Sequence, residues 1–132
     1  VACDLAAASI SAAPKIAAMR NRMQQAAADA GAVIWGEREE RLPGTLCLSA
    51  PGFSSATQLM AMDLAGIAIS TGAACSSGKT KPSHVLTAMG ADEALAASAI
   101  RVSIGWNSSD EDIEAFRREW PEAYKRVLER AA

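Results

Sequence analysis

A chain of 132 residues, half of them apolar, with a formal net charge of −2 and a pI near 5.4, is long enough to bury one sizeable core. That balance argues against a disordered chain, a basic nucleic-acid footprint or a cationic membrane-binding face, and aromatics at 5% provide no base-stacking surface. No stretch approaches the ~20 apolar residues that a membrane span needs, and no signal-peptide architecture opens the chain.

In chain order, residues 1–11 are Ala-rich with one anion, Asp4, and fit either a helix end or a frayed terminus. From Pro14, suited to a first helical position, Ile16, Met19, Met23, Ala26, Ala27 and Ala30 recur on one face. Gly31 stands where a left-handed C-cap belongs, so an amphipathic helix is predicted. Ala32-Val33-Ile34-Trp35 is predicted as a short strand, and Glu37-Arg38-Glu39-Glu40-Arg41 as a solvated connector. Thr45-Leu46-Cys47-Leu48-Ser49 alternates as a second strand, with Cys47 on the face opposite Leu46 and Leu48 and without a chemical role. Ser54 or Ser55 caps a helix that runs to Gly66, and Ile67-Ala68-Ile69 is predicted as a third strand. A short helix over 82–89 is closed by Gly90, and a turn follows at Asp92-Glu93-Ala94-Leu95. In the fourth strand, Ile100-Arg101-Val102-Ser103-Ile104, the aliphatic residues share one face, which leaves Arg101 and Ser103 on the other. The last helix opens at Ser108 or Ser109 with Asp110, Glu111 and Asp112 in its first turn. Ile113, Phe116, Trp120, Tyr124 and Val127 recur at helical spacing, and Pro121 is expected to kink or split the run. The sum is an α/β (α+β) layer: a small three- to four-stranded sheet with helices packed on it, in one domain over 1–132.

Three cysteines, at positions 3, 47 and 75, are odd in number and far apart, with no C-x-x-C pair and a single histidine. They argue against a zinc site and a disulfide framework, and point to a reducing compartment such as the cytoplasm. Cys75 lies in a run of about eleven small residues between the third strand and the following helix, the composition of a solvated loop. Small neighbours give its thiol nothing large to pack against, and Lys79 and Lys81 favour the thiolate. The residues alone leave two readings open, a mobile nucleophilic cysteine and a surface loop whose cysteine is incidental. The same run matches a relaxed phosphate loop, from Ala73 to Gly78-Lys79-Thr80. Against that stand Ala73 in place of glycine, Pro82 close behind the lysine, and no later strand ending in Asp for magnesium. His84, nine residues on, reads as structural rather than as a base for Cys75. Arg101 is either a fork for a carboxylate ligand or half of an ordinary salt bridge.

Three stretches together resemble the C-terminal region of cysteine desulfurases, pyridoxal-phosphate enzymes of the class V aminotransferase group. They are Gly66-Ile67-Ala68-Ile69-Ser70-Thr71-Gly72-Ala73-Ala74-Cys75-Ser76-Ser77-Gly78, Pro82-Ser83-His84-Val85-Leu86-Thr87-Ala88-Met89-Gly90 and Ser98-Ala99-Ile100-Arg101-Val102-Ser103-Ile104-Gly105. Leu42-Pro43-Gly44-Thr45-Leu46 and Ser109-Asp110-Glu111-Asp112-Ile113 extend the similarity, which runs in order from about Pro14.

The resemblance implies the small C-terminal domain of a fold-type I enzyme that converts L-cysteine to L-alanine. Cys75 matches the cysteine that takes the substrate's sulfur as a persulfide and passes it to an acceptor or scaffold protein, as in iron–sulfur cluster assembly. Arg101 matches the arginine that grips the substrate carboxylate. A loop of this length resembles the branch whose cysteine rides a mobile segment, which suits a thiol that must collect sulfur inside a site and deliver it outside. The family's cofactor lysine stands in a Ser-Gly-His-Lys setting, and Lys15, Lys79, Lys81 and Lys125 have no such surroundings. The resemblance therefore places pyridoxal phosphate in an N-terminal domain of a longer homodimeric enzyme, an expectation that agrees with a first residue, Val1, that is not Met. It also implies that the chain alone is catalytically incomplete. A stand-alone sulfur carrier or interaction module, and the nucleotide-binding loop, are the rival readings.

Overall fold

The computed structural model describes residues 1–72 and 83–132. Helix α1 (Ala2–Asp29) begins well before Pro14, which lies inside it rather than at its first position. The Ala-rich run ahead of the proline explains the difference. Alanine loses no side-chain entropy in a helix, so several such residues outweigh one missing N–H donor. The far end is as expected. Gly31 takes φ +99°. The Gly31 N–H donates to Ala28 O at 2.9 Å and the Ala32 N–H to Ala27 O at 3.0 Å, a Schellman closure.

Strands β1 (Val33–Trp35) and β2 (Thr45–Ser49) follow, then helix α2 (Ser55–Leu64). The Ser54 hydroxyl caps α2 by accepting from the Thr57 N–H at 3.2 Å. Strand β3 is Ser70–Thr71, three residues later than the predicted strand at Ile67-Ala68-Ile69. After α2 the chain turns through Gly66 at φ +75°, and the Ile67 N–H returns to Met62 O at 2.8 Å. Ile67 and Ile69 therefore pack against the core before the chain reaches a ladder partner.

Helix α3 (His84–Ala88) and helix α4 (Glu93–Ala97) come next. A turn is predicted where α4 stands; the Asp92 carboxylate, accepting from the Leu95 N–H at 2.7 Å, caps a helix instead. Strand β4 (Ala99–Ser103) and helix α5 (Asp110–Ala131) complete the chain. Ser109 and Asp112 form a reciprocal capping box at the start of α5. The helix passes Pro121 unbroken, contrary to a split. Phe116, Trp120 and Tyr124 are buried on both sides of the proline, so burial of the whole stripe outweighs one lost backbone bond.

The sheet is antiparallel throughout, in the order β1-β2-β4-β3. One face carries Leu46, Leu48, Ile100 and Val102, all buried under α1, α2 and α5. Phe53, Phe116, Trp120 and Tyr124 pack into a cluster of stacked and tilted rings with centres 5.4–6.5 Å apart. Inside it Gln58, fully buried, donates to Phe53 O and Ser98 O at 2.7 Å each and accepts from Trp120 Nε1 at 3.0 Å. That one amide ties α2 to α5 and to the start of β4, and its polar cost is met by full hydrogen bonding. Among the described residues no helix is long and apolar enough to cross a membrane.

Candidate active-site face

The opposite face of the sheet is only half covered. Leu86 of α3 and Ala96 of α4, with Ala91 between the helices, bury Ala99 and pack on Trp35 and Cys47. Beyond them the face is open, and Arg101 and Ser103 stand exposed on it. The strand alternation explains this directly: Ile100 and Val102 are drawn into the core, so their neighbours must point away from it.

The sheet fixes Arg101 from both sides, because β4 lies between β2 and β3. The Ile104 N–H donates to Gly44 O at 2.9 Å, in phase with the pairing of Thr45 with Ser103. Ladder bonds fall at alternate positions, so Cys47 and Arg101 form a non-hydrogen-bonded pair, the kind whose side chains stand closest. On the other edge the Gly72 N–H donates to Ala99 O at 2.7 Å, which makes Ser70 and Arg101 a hydrogen-bonded pair. The Ser70 hydroxyl adds a bond to Arg101 O at 3.3 Å. A row therefore crosses the open face in the order Trp35, Cys47, Arg101, Ser70.

No carboxylate among the described residues pairs with Arg101, so the ordinary salt-bridge alternative finds no partner there. A planar guanidinium on a stiff central strand, facing open space, can take a carboxylate through two parallel hydrogen bonds. Burial pushes the neighbouring Cys47 thiol above its ordinary range, with the Arg101 charge pulling the other way and losing. Cys47 is thus a neutral, half-buried thiol. It lines a largely apolar groove of about 360 Å³ with Trp35, Leu42, Thr45, Val85 and Met89.

Cys75, Lys79, Lys81 and the phosphate-loop positions Ala73, Gly78 and Thr80 lie outside the described residues. The flanks of their segment are described, and both sit beside the open face. A side chain at Gly72 would meet the Cβ of Ala99 at 2.6 Å and its backbone at 3.1 Å, so only glycine allows this approach to β4. Ser83 caps α3 by accepting from the Leu86 N–H at 3.4 Å, and Leu86 packs with the same Ala99. His84 is exposed at the first position of α3.

Sequence reasoning places Arg101 on the correct face and gives Cys47 no role. The facing of Cys47 and Arg101 depends on the register between strands 54 residues apart (47 to 101), which alternation within each strand does not specify.

The sequence and this fold both match a known group of proteins. The aminotransferase class-V family matches residues 4–116, and the chain belongs to that family. Within it the chain is similar to the putative cysteine desulfurase IscS 1 of Bacillus subtilis, with 38% identity over 102 residues, 75% of this chain and 27% of the relative. It is 39% identical over 101 residues to the cysteine desulfurase IscS of Aeromonas hydrophila, covering 76% of this chain and 24% of the relative. Among solved structures, a NifS-like protein superposes with a TM-score of 0.74 at 28% identity, over 88% of this chain and 29% of that one. The NifS-like protein from Rickettsia africae superposes with a TM-score of 0.70 at 29% identity, over 89% and 29%. The chain thus spans about a quarter of the length of the curated relatives it matches.

Proposed function

We propose that this chain supplies the small C-terminal domain of a cysteine desulfurase, which converts L-cysteine to L-alanine and passes the sulfur, as a persulfide on Cys75, to an acceptor protein. The observation that carries the proposal is Arg101: a cation fixed between two strands, facing open space beside both flanks of the cysteine-bearing segment, with no carboxylate partner among the described residues. Arg101 holds the carboxylate of the substrate, and Cys75 receives its sulfur.

Pyridoxal phosphate, when bound to such an enzyme, supplies the electron sink for breaking the carbon–sulfur bond. The described residues do not fit that cofactor. Lys15 and Lys125 are exposed on α1 and α5, the helices that pack against the other face of the sheet. The cofactor then belongs to an N-terminal domain of the same enzyme, whose two copies form a homodimer in a reducing compartment, the cytoplasm.

The test uses the complete coding sequence expressed as one enzyme. Cys75→Ala is expected to retain cofactor absorbance and abolish persulfide formation. Arg101→Ala is expected to raise the KM for cysteine tenfold or more, the loss of roughly one charge-assisted bond, with a smaller change in kcat. Persulfide formation by the Cys75→Ala enzyme would refute the role of that thiol.

A further inference from the structure

The residue facing Arg101 across the ladder has no part in the function proposed above, and the geometry gives it one. We infer that Cys47 is a positioning residue for Arg101: a small, uncharged wall that keeps the guanidinium free to receive a substrate carboxylate. The inference rests on the proposed desulfurase reading for the identity of that substrate.

Four observations support it. The two residues are direct partners in the β2–β4 register and form a close, non-hydrogen-bonded pair, so the side chain at 47 limits where the guanidinium can lean. On its other side Cys47 pairs with Trp35, whose indole N–H is committed to the Ser49 hydroxyl at 2.8 Å. Trp35 therefore stands as a fixed backing rather than a competitor for Arg101. Cys47 also lines the apolar groove with Val85, Leu86 and Met89, so the wall it presents beside Arg101 is backed by apolar side chains rather than by a charge. Finally, a half-buried thiol whose ionisation is suppressed carries no charge at neutral pH and offers Arg101 no anion. Glu39 and Arg41 also line the groove; Glu39 forms no ion pair with Arg101, and the Arg41 guanidinium donates to Trp35 O and Gln24 Oε1.

An aspartate at position 47 would place a carboxylate where the substrate carboxylate has to compete with it. A residue of the same shape without the charge would not. Cys47 acts through Arg101 and exchanges no proton or electron pair with the substrate, so changing it should move affinity rather than turnover.

The test compares Cys47→Asp with Cys47→Asn in the full-length enzyme. Cys47→Asp is expected to raise the KM for L-cysteine at least tenfold while kcat stays within about threefold. Cys47→Asn is expected to raise KM less than a third as much. Equal effects of the two substitutions, or a fall confined to kcat, would overturn the inference. A second arm is independent of desulfurase activity. In the 132-residue chain with Cys3→Ser and Cys75→Ser, the Cys47 thiolate is titrated by its ultraviolet absorbance with and without Arg101→Gln. Loss of the facing cation is expected to move that titration to higher pH, and an unmoved titration would overturn the pairing. If the unsubstituted enzyme shows no desulfurase activity, the proposed function fails, and the thiolate titration alone decides whether Cys47 and Arg101 act on one another.

Discussion

The two faces of the sheet are built on opposite principles. One buries Leu46, Leu48, Ile100 and Val102 under three helices and a cluster of four aromatic rings, and its buried amide, Gln58, is fully hydrogen-bonded. The other covers Ala99 with two five-residue helices and leaves Arg101 and Ser103 exposed. The same two strands, β2 and β4, contribute alternate residues to both. Stability and the candidate chemistry are thus separated by a single residue step along each strand, which lets a stiff core hold Arg101 without enclosing it.

The largest effect expected of that division is a contrast in unfolding free energy. Trp120→Ala removes a fully buried ring, leaves a cavity and strands the Gln58 carbonyl oxygen, so it should cost about 3–5 kcal/mol in urea denaturation. Arg101→Ala removes an exposed side chain with no ion-pair partner among the described residues, and should stay within about 0.5 kcal/mol. Comparable losses for the two would break the separation of the faces.

The closed face was the more legible in sequence, for a physical reason. Its residues declare themselves by local periodicity: Met19 and Met23 on α1, Leu46 and Leu48 on β2, and Phe116, Trp120 and Tyr124 on α5 all recur at the period of their own element. Caps are readable to within one residue, Ser54 out of Ser54 or Ser55 and Ser109 out of Ser108 or Ser109, because they and Gly31 act on backbone groups a few residues away. The errors arose where tertiary context overrides a local rule. Pro14 sits inside α1 rather than at its start because alanines surround it, and α5 is not split at Pro121 because the core grips its neighbours. Strand β3 is displaced because Ile67 and Ile69 are apolar enough to be strand residues yet pack beside the sheet. On the open face, Arg101 was placed by alternation, whereas Cys47 entered the site only through a register set by partners far apart in the chain.

A smaller effect is expected where the cysteine-bearing segment leaves the sheet. Gly72→Ala would put a Cβ 2.6 Å from that of Ala99 and should destabilise by about 1–3 kcal/mol through the forced shift of β3 or β4. Ala99→Gly removes the nearer of the contacting atoms, so the double variant should recover part of the loss, and a double-mutant cycle measures how much. Simple additivity would show that Gly72 and Ala99 do not meet as the sheet places them.

Cysteine labelling then sharpens the contrast between exposed and half-buried positions. Cys3 is exposed on α1, whereas Cys47 is half-buried with its ionisation suppressed. Alkylation at neutral pH should therefore be roughly tenfold or more faster at Cys3 than at Cys47, resolved by mass spectrometry of the peptides. Cys75 should also react well ahead of Cys47. Equal rates at Cys3 and Cys47 would mean that the groove beside α3 does not shield the thiol.

The smallest effect is a pH dependence of stability from the same thiol. Folding raises the Cys47 pKa above its ordinary value of 9.0, burial being the larger cause. Above that pH the unfolded chain loses the proton first, so the folded state holds more protons and stability falls as pH rises. The contribution is complete below about pH 9 and disappears as pH climbs through the folded-state value. Tyr124 is shifted upward by burial as well, with the same sign, from an ordinary value of 10.0. Comparing the unsubstituted chain with Cys47→Ala cancels the tyrosine, because Tyr124 lies across the core in both. The stability difference between the two should be constant from pH 7 to 8.5 and then shift steadily against the unsubstituted chain. A difference that stays flat into alkaline solution would show that Cys47 ionises as freely in the sheet as in the unfolded chain, and with it would go the uncharged wall beside Arg101.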